Sequence, residues 1–172
     1  NCDWSSDVCS SDLLTDGVKF AMLRNISSRF KYSCFVNIVE EMELNLYPES
    51  QRSVLFDLLS YANKIELNRL VLTTHSPYVI NYLTLAAKAF LLTQKVSANE
   101  TLQERVKEVV PADSAIDPAR LRIYELKDGG VFRLSTYEGL PSDENFLNIQ
   151  LGVTNELFDQ LLEIEQEFDY KN

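Results

Sequence analysis

The chain has 172 residues, 45% of them hydrophobic and 24% charged, with only 5 Gly and 5 Pro. That is the composition of one soluble globular domain, not of a disordered, collagenous or disulfide-dense chain. Its 16 basic residues are outnumbered by 26 acidic ones, for a formal net charge of −10, which argues against a nucleic-acid grip built from these residues. There is no visible targeting peptide and no apolar run approaching the roughly 20 residues that cross a bilayer, so a cytoplasmic protein with no membrane contact is expected.

Residues 3–13 read D-W-S-S-D-V-C-S-S-D-L, which resembles the translation of a common sequencing adapter, and residues 1–13 are set aside as an assembly artefact. The exclusion removes Trp4, Cys2 and Cys9, and with them any reading of a disulfide pair. Cys34 is then the remaining thiol, a small core residue, and no oxidising compartment is implied. On this reading the natural protein extends further at its amino end, and the chain is a carboxyl-terminal piece.

Leu14-Thr15-Asp16-Gly17 opens a helical stretch over residues 18–28, whose apolar Phe20, Met22, Leu23 and Ile26 fit helical spacing loosely. Alone it reads as a turn with a helix cap. Arg24, Arg29 and Lys31 read as a solvated helix end.

Residues 34–39 form a β-rich run interrupted by Asn37 and ended by Glu40 and Glu41. A short apolar run without clean alternation suits a strand covered on both faces. Pro48 and Glu49 then mark a helix start, with Val54, Leu55, Leu58, Leu59 and Ala62 as its buried stripe. A second strand-like run, residues 70–73, delivers Thr74, His75 and Ser76, and a helix around residues 78–92 follows with Ser76 as N-cap and Pro77 at its first position. Strand, helix, strand, helix predicts a parallel layer with right-handed crossover. Ligands bind at the carboxyl edge of such sheets, which is where the Glu pair and the histidine arrive together. Taken singly, a Glu pair marks a strand running into solvent, and a lone histidine says little.

Residues 97–119 are polar and broken by Pro111 and Pro118, a surface excursion with a short helix near residues 102–110. Residues 121–126 and 131–134 flank Lys127-Asp128-Gly129-Gly130, a hairpin signal in which Asp128 is a turn residue. Residues 155–169 are amphipathic, with Leu157, Phe158, Leu161, Leu162 and Phe168 opposite a largely acidic, solvated face.

The combination E-E-x-E-L-x-L-x-P, from Glu40 to Pro48, with T-T-H-S-P, from Thr73 to Pro77, resembles the Walker B, D-loop and switch-histidine series of the ABC-type ATPases. It is most similar to the soluble bacterial AAA/ABC-like heads related to RecF, SMC and OLD proteins. The resemblance implies that Glu40 holds Mg²⁺, that Glu41 is the catalytic glutamate polarising the attacking water, and that His75 senses the γ-phosphate of ATP. Such roles suit phosphoryl transfer, which needs charge neutralisation and a positioned nucleophile more than covalent help. Residues 44–47 take the D-loop position; Met42 stands where the family usually has Pro, and Tyr47 where a His is frequent. Upstream, Leu14 to Gly17 resembles the signature motif, with Thr15 for the usual Ser. Thr15, Asp16 and Gly17 would then meet the nucleotide of a second subunit in a head-to-tail homodimer.

The expected fold is therefore α/β, the carboxyl-terminal half of a P-loop NTPase (ABC-ATPase head). A parallel sheet with flanking helices over residues 14–96 is followed by a hairpin and terminal helix over residues 97–172 in the same domain. No G-x-x-x-x-G-K-[ST] occurs, so these residues alone are not expected to be a competent enzyme. Nucleic acid or a defence partner protein would be engaged through regions outside the chain. One rival is a metal-dependent nuclease, as in OLD-type relatives with a Toprim domain, but the D-x-D pair it needs is missing. Another is a non-catalytic interaction module derived from the ATPase fold.

Overall fold

A computed structural model describes residues 35–171. Thr15, Asp16, Gly17, Cys34 and the helix expected over residues 18–28 lie outside the described residues, as do residues 1–13. The described chain is mixed α/β, with three two-stranded sheets and four α-helices. It divides into two compact units, the first ending at Ile116 and the second beginning at Asp117. The first unit takes in the polar excursion as far as Ile116.

In the first unit, β1 (Val36–Val39), α1 (Pro48–Asn63), β2 (Arg69–Leu72), α2 (Pro77–Lys95) and α3 (Glu100–Val109) follow in order. β1 and β2 pair in parallel, from Val36 opposite Arg69 to Val39 opposite Leu72, with α1 as the crossover. Both helices that follow these strands begin with proline, whose fixed φ suits the first turn and whose missing N–H would have no helical partner there. Leu55, Phe56, Leu58 and Leu59 of α1 are buried with Val79, Ile80, Leu83, Ala86, Ala87 and Ala89 of α2. Val54 and Ala62, expected in that stripe, are only half-buried, and Gln51 and Phe56 take the remaining buried places. Phe56 meets Tyr82 edge to face, at 6.4 Å between ring centroids.

The sheet departs from expectation on one face. Asn37, Val39, Leu70 and Leu72 are half-buried, while Val36, Ile38 and Val71 on the other face stay exposed. The apolar run therefore does not mean cover on both faces among the described residues; its exposed members alternate with its half-buried ones, as the pleat requires. Register is set at the strand entrance by the buried Asn68. Its Oδ1 accepts the Phe35 N–H at 3.0 Å, and its Nδ2 donates to the Tyr61 carbonyl at 3.1 Å.

The loop after α3 is held to α1 by polar contacts. The buried Ser114 hydroxyl donates to the Phe56 carbonyl, Ser60 donates to the Asp113 carboxylate, and Asn63 Nδ2 donates to the Asp113 and Ala115 carbonyls, all at 2.8–2.9 Å.

The second unit opens with a 3-10 turn, Pro118–Arg120, capped by the Asp117 carboxylate. Strands β3 (Tyr124–Lys127) and β4 (Gly130–Arg133) form the expected hairpin. Asp128 at φ 51 and Gly129 at φ 74 both occupy the left-handed region that a two-residue primed turn demands. A second small hairpin, β5 (Thr136–Tyr137) with β6 (Leu140–Pro141), turns through Glu138 and Gly139 in the same conformation. Helix α4 (Phe146–Lys171) starts well before the expected residue 155. Its start is fixed by the buried Asn145, whose Oδ1 accepts the Asn148 N–H at 3.0 Å, and by Glu125 of β3, which accepts the Phe146 N–H at 2.6 Å. A cap of this kind, at about 1 kcal/mol, offsets the similar cost of Gly152 inside the helix.

Partial desolvation on α1, and then the neighbouring Asp113 carboxylate, raise the Asp57 carboxyl above its ordinary 3.8. A raised folded-state value means that the fold binds this proton more tightly than the unfolded chain does. The contribution to stability is present below pH 3.8 and is lost as pH climbs through the raised value. Asp57→Asn is therefore expected to raise the melting temperature at pH 7 slightly. The difference from wild type should shrink as the pH is taken below 3.8, measured by circular dichroism across pH.

Candidate functional site

The parallel pairing of β1 and β2 continues past both strands. Thr73 N–H donates to the Val39 carbonyl at 3.1 Å, and Glu41 N–H is shared between the Thr73 carbonyl at 3.0 Å and the Thr73 Oγ1 at 3.1 Å. Glu41 itself sits at φ 45, a left-handed conformation uncommon for a residue with a Cβ. The two Thr73 acceptors hold it there. Such a backbone is a strained one, of the sort found where a side chain must be aimed. The result is that Glu41 Oε1 lies 3.7 Å from His75 Nε2, the two side chains being 41% and 84% exposed. Glu40 is the adjacent exposed carboxylate at the same strand end.

Beyond Glu41 the chain makes two successive tight turns, closed by Leu44 N–H on the Glu41 carbonyl and Leu46 N–H on the Glu43 carbonyl, both at 3.0 Å. Met42, 3% exposed, anchors the first, and Asn45 at φ 60 supplies the left-handed position of the second.

Two residues given no role from sequence tie this turn to the histidine loop. The Glu43 carboxylate accepts the His75 N–H at 2.6 Å, a charge-assisted bond, and its other oxygen is buried without a hydrogen-bond partner among the described residues. Gln51, buried in the first turn and a half of α1, donates to the Leu46 carbonyl at 2.9 Å and accepts from the Ser76 hydroxyl at 2.7 Å. Ser76 is the N-cap residue of α2, as expected, but its hydroxyl makes no cap bond because Gln51 takes it. Both residues left a signal in the sequence. Glu43 is the third acid of E-E-x-E, and Gln51 is a polar residue one turn before Leu55 on an otherwise apolar stripe.

The site thus brings Glu41 and His75 together, with Glu40 next to Glu41 in the chain. Thr15, Asp16 and Gly17 lie outside the described residues. No group of three or more His, Cys, Asp or Glu side chains among the described residues is disposed to hold a metal. Mg²⁺ needs no such cage, since it takes one or two carboxylates and completes its shell with water and phosphate oxygens. A single exposed carboxylate such as Glu40 is a donor of the kind that chemistry uses.

The model of a family described as "AAA domain, putative AbiEii toxin, Type IV TA system" matches residues 36–81. The matched segment runs from β1 to the start of α2 and contains Glu40, Glu41, Glu43, Gln51 and His75. It supports an AAA/P-loop-like ATPase family and a nucleotide-binding function for this part of the chain. No curated protein and no solved structure matches the chain. Among the described residues no helix is long and apolar enough to cross a membrane.

Gln51→Leu keeps the side chain's approximate volume while stranding the half-buried Leu46 carbonyl and the buried Ser76 hydroxyl. A loss of about 1–3 kcal/mol in urea unfolding is expected. Adding Ser76→Ala removes one stranded group, so the double variant should lose less than the sum of the singles, a coupling that Gln51 acting through Leu46 alone would not produce.

Proposed function

We propose that these residues supply the Walker B, D-loop and switch-histidine part of a soluble ABC-type ATPase head of the RecF, SMC and OLD kind, which binds ATP and hydrolyses it with Mg²⁺. The observation that carries the reading is the approach of Glu41 and His75 to 3.7 Å at the carboxyl ends of two paired parallel strands. A carboxylate there can accept a proton from water and orient its lone pair, and the imidazole beside it can donate to a phosphate oxygen. Glu40 would hold Mg²⁺, which when bound neutralises charge on the phosphates. Glu43 and Gln51 keep the two loops in register, so that the carboxylate and the imidazole address the same small volume. The physiological setting that fits such a head is a DNA-related or defence process.

In the full-length protein, Glu41→Gln is expected to retain ATP binding and to lose turnover by about two orders of magnitude or more, because it removes the water's base and spares the metal carboxylate. Turnover and nucleotide affinity are measured side by side. Near-normal turnover in the variant would remove Glu41 from the role.

The resemblance of Thr15, Asp16 and Gly17 to a signature motif extends the reading to a head-to-tail pair with two composite sites. Gly17→Asp would set a carboxylate against the partner's phosphate and abolish activity. Mixing that variant with Glu41→Gln should then restore part of the activity, because one composite site in the mixed pair carries neither lesion. No recovery between folded, exchanging dimers would overturn the trans arrangement.

A further inference from the structure

His75 is the one histidine of the chain, and its imidazole has little packed against it. The side chain is 84% exposed, and Glu41 Oε1 at 3.7 Å lies beyond hydrogen-bond distance. A ring in that position takes its aim from the backbone that carries it. On one side that backbone is held by the Thr73 N–H on the Val39 carbonyl at 3.1 Å, and on the other by the Ser76 N–H on the Thr74 Oγ1 at 3.0 Å. Between them the His75 N–H donates to Glu43 Oε1 at 2.6 Å, across 32 positions of sequence.

Glu43 reaches the amide from a fixed point. Its carbonyl accepts the Leu46 N–H at 3.0 Å, and the adjacent Met42 is buried. One carboxylate oxygen is engaged by the amide, and the other is buried with no hydrogen-bond partner among the described residues. That sets Glu43 apart from the exposed Glu40, whose carboxylate is open to a cation. A carboxylate with a buried, unpaired oxygen is also a costly strut, since a glutamine would accept the same N–H without burying charge. What the carboxylate adds is a shorter and stronger bond, and so a more sharply defined amide.

We propose that Glu43 is a positioning residue for hydrolysis, whose bond to the His75 amide sets the direction of the imidazole and so its contribution to turnover. The proposal rests on the ATPase reading, and its test separates the two.

The first measurement needs no nucleotide. Labelling with ¹⁵N-histidine gives the intact chain one histidine backbone signal, whose proton shift and solvent exchange report the bond. Glu43→Ala should move that proton upfield and speed its exchange by about tenfold, and Glu43→Gln should fall between. The second measurement is turnover in the full-length protein. Glu43→Ala is expected to lower kcat by about tenfold or more with ATP affinity nearly unchanged, and Glu43→Gln to recover part of the loss. In His75→Ala the amide still meets Glu43 but the ring is gone, so adding Glu43→Ala should cost melting temperature and little further turnover. An amide signal that Glu43→Ala leaves in place would overturn the proposal, whether or not ATP is hydrolysed. So would near-normal kcat in both Glu43 variants while His75→Ala is slow, or an undiminished Glu43→Ala loss in the His75→Ala background, either of which makes Glu43 a strut only. Near-normal turnover in Glu41→Gln and His75→Ala together would instead remove the ATPase reading, and the positioning role with it. If Glu43→Ala fails to fold, Glu43→Gln decides: an unmoved amide signal or a wild-type kcat in that variant overturns the proposal.

Discussion

The arrangement at the sheet edge depends on hydrogen bonds that outlast the strands. Each of the two paired strands is only four residues long, and a two-stranded sheet has little independent stability. What gives it a defined end is the continuation of the ladder through Thr73 to Glu41, together with Glu43 on the His75 amide and Gln51 between Leu46 and Ser76. These bonds join the loop after β1 to the loop after β2 with groups that come from both loops and from the helix between them. Removing the pairing would free Glu41 from its left-handed backbone and loosen its 3.7 Å approach to His75, which the Glu43 bond to the His75 amide also supports. Conformational strain and site geometry thus rest on the same set of acceptors.

The elements most legible in sequence were those governed by local rules. Pro48 and Pro77 announced two helix starts, and Asp128-Gly129 announced a hairpin, because a fixed φ or a positive φ belongs to the residue itself. The parallel order of β1 and β2 followed from alternation of strand and helix patterns. Exposure of Val36, Ile38 and Val71 was not legible, since an apolar run specifies what a strand can bury and not what is available to bury it. The start of α4 was missed for a related reason. Gly152, Asn148 and Thr154 weaken the helical pattern, and the bonds that overrule them come from Asn145 and from Glu125, a residue on a different element.

At the candidate site, residue types that could act on a phosphate stood out because few side chains carry that chemistry. Glu40, Glu41 and His75 could be selected by type and by position after a strand. Glu43 and Gln51 could not be given a role in this way, since each acts by a bond to a backbone or hydroxyl group dozens of positions or a full loop away. A polar residue on a buried stripe is the sort of local conflict that a tertiary partner resolves, and Gln51 is such a case.

The same side-chain chemistry has different surroundings in the two units. At the sheet edge, carboxylates are paired with an imidazole and a backbone amide, and Met42, next to Glu41 in the chain, is buried. Negative charge there is concentrated and directed, which suits a cation and the phosphates it accompanies. On α4, carboxylates stand exposed beside aliphatic side chains that are also exposed, on a helix whose one basic residue, Lys171, is its last. Negative charge there borders a surface and gives it a sign. The difference is not in the acids but in what lies next to them, a hydrogen-bonded turn in one case and exposed leucines in the other.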